Sequence, residues 1–124
     1  MIYRTCLPLA GIAAAILFAL PALAQERSPA ARQGLTDLAR VLGSSHALRQ
    51  ACLDRKDQSW RTRMQQLLDV EAPDQGLKRR LMQAFNAGYD AEQAVYPACS
   101  SAAEAESARL AQHGRALAQQ LEGP

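Results

Sequence analysis

The sequence predicts an all-α protein, a small antiparallel bundle of three to four helices stapled by one disulfide. Beyond the N-terminal segment, alanine, leucine, glutamine, glutamate and arginine dominate, and these residues are good helix formers. Apolar side chains recur at steps of three and four residues, and no alternating run of β-branched residues favours a strand. Capping residues and prolines divide the pattern into segments, which predicts helices joined by short connections.

Residues 1–24 have the layout of a secretory signal peptide. Arg4 gives a positive start, an apolar run of 14 residues follows at 7–20, and a small-residue cleavage site ends at Ala24. A retained membrane anchor is the alternative, but a spanning helix needs about 20 apolar residues. We therefore expect cleavage after Ala24, export to the periplasm or beyond, and a single helical domain at 25–124 with no stable membrane span.

The first helix is predicted at about 30–53. Ser28 is a suitable N-cap, and Pro29 is a suitable first helical residue. Apolar residues then follow at helical spacing from Leu35 onward. The Gly-Ser-Ser run at 43–45 is the weakest point of this helix, and a bend or break is expected there.

The second helix is predicted at about 58–70, capped by Asp57 and ended by Pro73. Its apolar stripe at i, i+4, i+7 and i+8 consists of Trp60, Met64, Leu67 and Leu68. Trp60, Met64 and Leu67 are therefore predicted core residues. Arg61 lies off this stripe and could pair with Asp57 four residues earlier.

The third helix is predicted at about 75–95, with Asp74 as its cap and Pro97 after its end. Leu81, Phe85 and Gly88 are predicted core positions. A glycine inside a helix costs about 1 kcal/mol relative to alanine, so a close neighbour is expected at Gly88, with Trp60 as the candidate. Alternatively, the helix ends at Gly88 and restarts at Asp90.

The fourth helix is predicted at about 102–121. Ser101 and Glu104 match a capping box at its start. Its only large apolar residues on one face are Leu110, Leu117 and Leu121, so it contributes little burial.

Cleavage of the leader would leave two of the three cysteines, Cys52 and Cys99. In an oxidising compartment such a pair usually forms a disulfide. A zinc site needs about four ligands, and neither cysteine has a second cysteine or a histidine within a few positions. His46 and His113 are isolated, so we predict no metal and no cofactor. A Cys52–Cys99 bond would stabilise the fold by about 4 kcal/mol in the chain-entropy model.

The composition of residues 25–124 indicates that the fold needs the disulfide for stability. It also excludes one class of partner, nucleic acids. Residues 25–124 contain 21 large apolar side chains, which can form only a small core. They also contain 13 basic and 12 acidic side chains, a net charge of +1. Nucleic-acid binders need a strongly basic face, so no nucleic-acid partner is expected.

Polar residues of the second and third helices form a candidate interaction surface. Lys78-Arg79-Arg80 could bind an anion or a lipid headgroup, or could simply be a solvated face. Asn86 and Tyr89, three residues apart, could hydrogen-bond a partner or satisfy a buried helix end. The residues of this candidate surface are Arg61, Arg79, Arg80, Asn86 and Tyr89.

Five motifs follow one another along the chain: Leu-Arg-x-x-Cys, Asp-x-x-x-Trp-Arg-x-x-Met with a slightly shifted Asp, an acidic-Ala-Pro turn, an Arg-Arg pair before Ala-Phe-Asn-x-Gly-Tyr, and Tyr-x-x-Cys. Together they resemble an uncharacterised family of small secreted alphaproteobacterial proteins, known by its domain of unknown function. The resemblance covers about residues 35–121, and this copy departs from it at Pro97 and Ser44-Ser45. It implies export and a helical domain, and it brings no established activity.

Three functions are compatible with this pattern. A non-enzymatic interaction or structural protein of the cell envelope is favoured, with an envelope protein as its partner and an unknown oligomeric state. A periplasmic stress chaperone is the first alternative. The second alternative is a small all-helical enzyme of the chorismate mutase type, which would use Arg49, Arg61, Arg79 and Arg80 as cations, although that family's motif order is not matched.

Overall fold

The computed structural model describes residues 27–123, and this part of the chain forms four α-helices and no strand. The helices are α1 (Pro29–Cys52), α2 (Ser59–Glu71), α3 (Gln75–Val95) and α4 (Ser101–Glu122). Each begins and ends within about two residues of its predicted bounds, so the predicted all-α class is confirmed. The predicted signal peptide and its cleavage site lie outside the described residues. Among the helices of residues 27–123, none is long and apolar enough to cross a membrane.

Short polar side chains cap the N-termini of three of the helices, α1, α3 and α4. Ser28 Oγ accepts the backbone N–H of Ala31 at 3.1 Å, and Asp74 Oδ1 accepts that of Leu77 at 2.8 Å, as predicted. The cap of α4 is Ser100, which accepts the backbone N–H of Ala103 at 3.0 Å. The capping box predicted on Ser101 is therefore one residue late, because the α4 hydrogen-bond ladder already begins at the Ser100 carbonyl.

The start of α2 is stabilised from one residue outside its cap. Gln58 occupies the cap position and makes no capping bond with its side chain. Asp57 Oδ1 instead accepts both the backbone N–H and the hydroxyl of Ser59, at 3.0 and 2.6 Å. At the other end, α2 terminates in the left-handed conformation of Ala72, with φ of 43°, before Pro73.

Helix α1 is central, because it packs against each of the other three helices and most extensively against α3. The α1–α3 contact is backbone to backbone at two glycines. A Cβ on Gly43 would lie 1.9 Å from the carbonyl oxygen of Phe85, and a Cβ on Gly88 would lie 2.2 Å from that of Arg40. Ser44 Oγ also donates to the Gly88 carbonyl at 3.2 Å.

Two expectations about these glycines are therefore wrong. The Gly-Ser-Ser run at 43–45 does not break α1, which is one continuous helix, and its small side chains are what lets α3 approach. The close neighbour of Gly88 is the α1 backbone at Arg40 and not Trp60. Helix α3 also continues through Gly88 without a restart at Asp90.

The core consists of two apolar clusters on different sides of α1. The first joins α1, α2 and α3 and contains Leu35, Ala39, Met64, Leu68, Leu77, Leu81, Ala84 and Phe85. The second joins α1 and α4 and contains Val41, Leu48, Ala103, Leu110 and Leu117. Leu121, near the end of α4, also packs against the first cluster. Helix α4 therefore contacts the second cluster along most of its length and the first cluster only at its C-terminal end.

Covalent and ionic links join the helices at both poles of the bundle. Cys52, at the end of α1, is bonded to Cys99 before α4 and closes a loop with a sequence separation of 47, so the predicted disulfide is confirmed. At the opposite pole, Arg27 contacts Glu71 at 2.7 Å and donates to the carbonyl of Leu121 at 3.1 Å. Arg27 thereby bridges the C-terminal ends of α2 and α4.

A second ion pair at that pole joins α1 to the start of α3. Arg32 Nη1 lies 2.7 Å from Asp74 Oδ2. The pKa of Asp74 is lowered to about 2, mainly by the hydrogen bond from Arg32 and then by the backbone N–H that it caps. The capping carboxylate therefore stays ionised over the whole neutral and mildly acidic range.

Candidate functional site

An open apolar groove of about 540 Å³ lies between α2 and α4, with α1 as its floor. We call it the α2–α4 groove. Its floor consists of Leu38, Val41, Leu42 and Ser45. The α2 wall consists of Trp60, Arg63, Gln66, Leu67 and Val70, and the α4 wall of Leu110, Ala111, Gly114, Arg115 and Ala118. Its volume lies within the range of about 300 to 1,000 Å³ that ligand sites occupy.

The α2 wall exists because α2 carries two apolar faces rather than one. Met64 and Leu68 are buried in the first cluster. Trp60, Leu67 and Val70, at steps of seven and three residues, follow a neighbouring line along the helix and face the groove. Val70 remains 82% exposed, although it is a large apolar residue. The second face is therefore apolar surface that the described fold leaves open to solvent.

The α4 wall is built largely from small residues, which keeps the groove wide. Ala111, Gly114 and Ala118 recur at steps of three and four residues and form one line along α4. A Cβ on Gly114 would lie 3.3 Å from a methyl group of Val41, so α4 sits close to the groove floor.

Trp60 belongs to this groove and to neither core cluster. It is half-buried, and the Arg63 guanidinium lies over its ring, 5.5 Å from the centroid. The prediction that Trp60 is a core residue is therefore wrong. Met64, Leu81 and Phe85 do lie in the first cluster, Leu67 is partly buried against it, and Gly88 is buried in the α1–α3 contact. A stripe at helical spacing could not tell which of two adjacent apolar faces would be covered.

The charged side chains that line the groove are both cations. Arg63 stands on the α2 wall and Arg115 on the α4 wall. Neither forms an ion pair with any side chain of residues 27–123. An arginine keeps its proton throughout the physiological pH range and can donate but not accept hydrogen bonds. The groove is thus suited to hold an apolar body with negative charge at its edges.

The predicted polar surface is not one site in the structure. Arg61 and Asn86 meet in a small cleft of about 150 Å³ between α2 and α3. Arg61 lies over the Phe85 ring at 5.6 Å instead of pairing with Asp57, whose Oδ2 accepts Arg49 Nε at 3.1 Å. That expected pairing is therefore wrong.

The other predicted surface residues lie elsewhere. Tyr89 lines a separate cleft of about 130 Å³, and its hydroxyl donates to Gln50 Oε1 at 2.6 Å, which joins α3 to α1. Arg79 and Arg80 are exposed on α3 and line none of these clefts. The five residues are thus divided among three places on the surface.

His46 is a buried titratable residue, although its position in the sequence is isolated from other potential ligands. It is 1% exposed and lies beside the rings of Phe85 and Tyr89, with centroids at 5.7 and 5.2 Å. Its Nδ1 has no hydrogen-bond partner among the described residues. Burial lowers the pKa of His46, the Arg61 charge lowers it further, and the Asp57 charge opposes both. The available signal was its position seven residues after Ala39 on the buried face of α1.

Comparison with known proteins assigns most of the chain to one family model. Residues 31–123 match a model described as "Protein of unknown function (DUF2385)". No curated protein matches the chain, and no solved structure matches it. The four helices and both cysteines lie within or at the edge of the matched residues.

Proposed function

The chain belongs to the DUF2385 family, and we propose that it is an exported, non-enzymatic interaction protein of the cell envelope that binds its partner in the α2–α4 groove. The observation that carries the proposal is the groove itself, an apolar surface that the fold leaves open. Contiguous exposed apolar surface rimmed by polar residues is typical of interaction sites. The partner would be another envelope protein.

The disulfide supports export. Bonded cysteine pairs persist in oxidising compartments and are rare in the cytosol of mesophiles. Cys52 and Cys99 are both exposed, so a reducing environment would have access to their bond. The apolar run at 7–20 and the small-residue site ending at Ala24 are the sequence features that would direct the chain there.

The side chains of the groove support binding rather than catalysis. Apart from apolar groups, its lining offers two guanidinium groups, the amide of Gln66 and the hydroxyl of Ser45. The described residues of the lining include no histidine, carboxylate or cysteine, the side chains that most often act as general acids, bases or nucleophiles. Of the four arginines considered for a chorismate mutase type of enzyme, Arg49 pairs with Asp57 and Arg61 lines the α2–α3 cleft, while Arg79 and Arg80 line none of the three clefts described above.

Site-specific photocrosslinking in intact cells tests this proposal. A photoreactive amino acid at Val70, on the rim of the groove, is expected to give one discrete high-mass adduct. Val70 is exposed enough for the substitution to leave the fold intact. The same amino acid at Arg79, exposed but outside the groove, is the matched control and should give no such adduct. Uncrosslinked monomer at both positions, or identical products at both, would contradict the proposal.

A periplasmic stress chaperone is a second candidate, favoured by His46. Below the pKa of a free histidine, about 6.5, an unfolded chain binds a proton that the buried imidazole resists. Acid would therefore loosen the α1–α3 contact and expose apolar surface to unfolded clients. Charged or titratable groups facing His46 are Arg61 and Asp57 from the α2 side and Tyr89 from α3.

We expect His46 to make stability depend on pH in a defined window. Because its pKa is lowered in the folded state, its contribution is complete above about pH 6.5 and is lost as the pH falls from there to the folded pKa. The slope is at most about 1.4 kcal/mol per pH unit for one proton. Urea unfolding from pH 7.5 to 4.5 should show this slope in the wild type and not in His46→Gln.

Exposed His113 gives the control, because His113→Gln should keep the wild-type slope. Protection of an aggregating client at pH 5 but not at pH 7, lost in His46→Gln, would support the chaperone candidate. Equal slopes in the wild type and His46→Gln would show that His46 titrates normally and would remove the basis of this candidate.

A further inference from the structure

The α2–α4 groove has the dimensions of a seat for one further helix. From Trp60 to Val70 its α2 wall covers ten residue steps, or about 15 Å at 1.5 Å per residue. That length accommodates about three helical turns. Its floor residues, from Leu38 to Ser45, lie at i, i+3, i+4 and i+7 on α1 and form a ridge of the kind against which helices pack.

The openness of the groove favours a helix over an acyl chain. A small ligand or lipid tail is apolar on all sides, and its sites usually bury 70 to 90% of its surface. An amphipathic helix needs to bury only one apolar stripe and keeps its polar face in water. The groove offers walls and a floor but no roof among the described residues, so it covers one side of its occupant.

The charges on the groove walls indicate which side chains should flank the apolar stripe of a bound helix. Arg63 and Arg115 stand on opposite walls, and no carboxylate lines the groove between them. Arg63 is held against the Trp60 ring, which reduces the conformational freedom that it would lose on pairing. A helix seated on the floor would therefore meet one cation on each side of its apolar stripe.

We infer that the α2–α4 groove binds an amphipathic helix of another protein whose apolar stripe is flanked on both sides by acidic residues. This inference rests on the proposed function, because it names the class of partner for the same groove. Helix-in-groove recognition uses apolar anchors at i, i+3, i+4 and i+7. Electrostatic complementarity at the edges then sets the register and the choice of partner.

A displayed peptide library tests the inference with the oxidised protein, residues 25–124, as bait. The library is a 14-residue helix with leucine fixed at the four anchor positions and with the flanking positions randomised. We expect selection to enrich Asp and Glu on both flanks. A selected peptide should bind about tenfold more tightly than its counterpart with lysine on the flanks, and the difference should shrink as salt is raised.

Matched double variants test whether Arg63 and Arg115 cause the preference for acidic residues on the flanks of the peptide. Arg63→Gln with Arg115→Gln should reduce binding of the selected peptide about tenfold and abolish acidic enrichment. Arg79→Gln with Arg80→Gln removes the same charge from α3 outside the groove and should change binding less than about twofold. If both double variants behave alike, only net charge matters and the inference is overturned.

Other occupants would also overturn the inference. Selection without acidic enrichment, combined with 1:1 palmitate binding detected by Trp60 fluorescence, would assign the groove to an acyl chain. A dimer in sedimentation that Val70→Glu dissociates would assign it to a second copy of this chain. A discrete adduct at Val70 in cells without acidic enrichment would leave the proposed function standing and remove this inference alone. Failure of both experiments would remove both.

Discussion

Gly43→Ala is expected to destabilise the protein by about 3 kcal/mol or more, because its Cβ would make the closest clash of any described glycine. The new Cβ would lie 1.9 Å from the carbonyl oxygen of Phe85, which belongs to the backbone of α3 and cannot rotate away. Overpacking in a closed contact costs about 1 to 3 kcal/mol and sometimes more. The gain of about 1 kcal/mol from replacing a helical glycine offsets only part of this loss.

Thermal and urea unfolding measure the effect, with Gly34→Ala as the matched control in the same helix. At Gly34 the added Cβ would meet the end of the Leu121 side chain at 3.3 Å, which can shift. Gly34→Ala should therefore be neutral or slightly stabilising. Gly88→Ala, with its clash against the Arg40 carbonyl, should resemble Gly43→Ala. Wild-type stability in Gly43→Ala would show that the α1 and α3 backbones are not in contact.

Removing the disulfide should have the second large effect. The bond between Cys52 and Cys99 closes a loop with a sequence separation of 47, and such a cross-link stabilises by about 4 kcal/mol in the chain-entropy model. The core is small and divided into two clusters, so little else offsets the loss. We expect the double Cys→Ser variant to lose about 2 to 5 kcal/mol of unfolding free energy.

Reduction gives an independent measurement, since both cysteines are exposed. Dithiothreitol should lower the melting temperature of the wild type to that of Cys52→Ser with Cys99→Ser and should leave the variant unchanged. Far-UV circular dichroism at low temperature checks whether the helices persist. Mass spectrometry of natively exported protein with both thiols free would contradict the disulfide and with it one support for export.

The helix ends were predictable because they depend on neighbouring residues. Ser28 and Asp74 accept backbone N–H groups three residues later, and the acceptor and donor of such a bond lie within one short segment. Pro73 and Pro97 mark their boundaries for the same local reason. The disulfide was predictable from arithmetic, because removal of the leader would leave only two cysteines to pair.

The roles of the glycines were not predictable in detail. A glycine inside a helix indicates either a place where the helix can bend or a place where a neighbouring helix packs closely. The sequence does not show which applies, because it does not show whether another helix lies against that glycine. The run at 43–45 has the pattern of a weak point, yet in the structure Gly43 lies directly against the α3 backbone at Phe85. Gly88 was correctly expected to have a close neighbour, but the neighbour is α1 rather than Trp60.

The candidate site likewise combines residues that the sequence could identify with an arrangement that it could not. Arg61, Asn86 and Tyr89 were grouped because they follow one another along α2 and α3, yet the structure places Tyr89 in a cleft of its own. The α2–α4 groove was missed because its walls come from helices about 50 residues apart in sequence, on either side of α3. Only the packing of both helices on α1 brings Arg63 and Arg115 to the same groove.

The sequence by itself determined the all-α class, the four helices and the pairing of the two cysteines, because each depends on local backbone hydrogen bonding or on simple counting. The tertiary structure alone decided which apolar faces are covered. Helix α2 has two such faces, and the positions of α3 and α4 around α1 bury Met64 and leave Trp60 in an open groove. The physical reason is that burial depends on the distances between helices, which neither periodicity nor capping specifies.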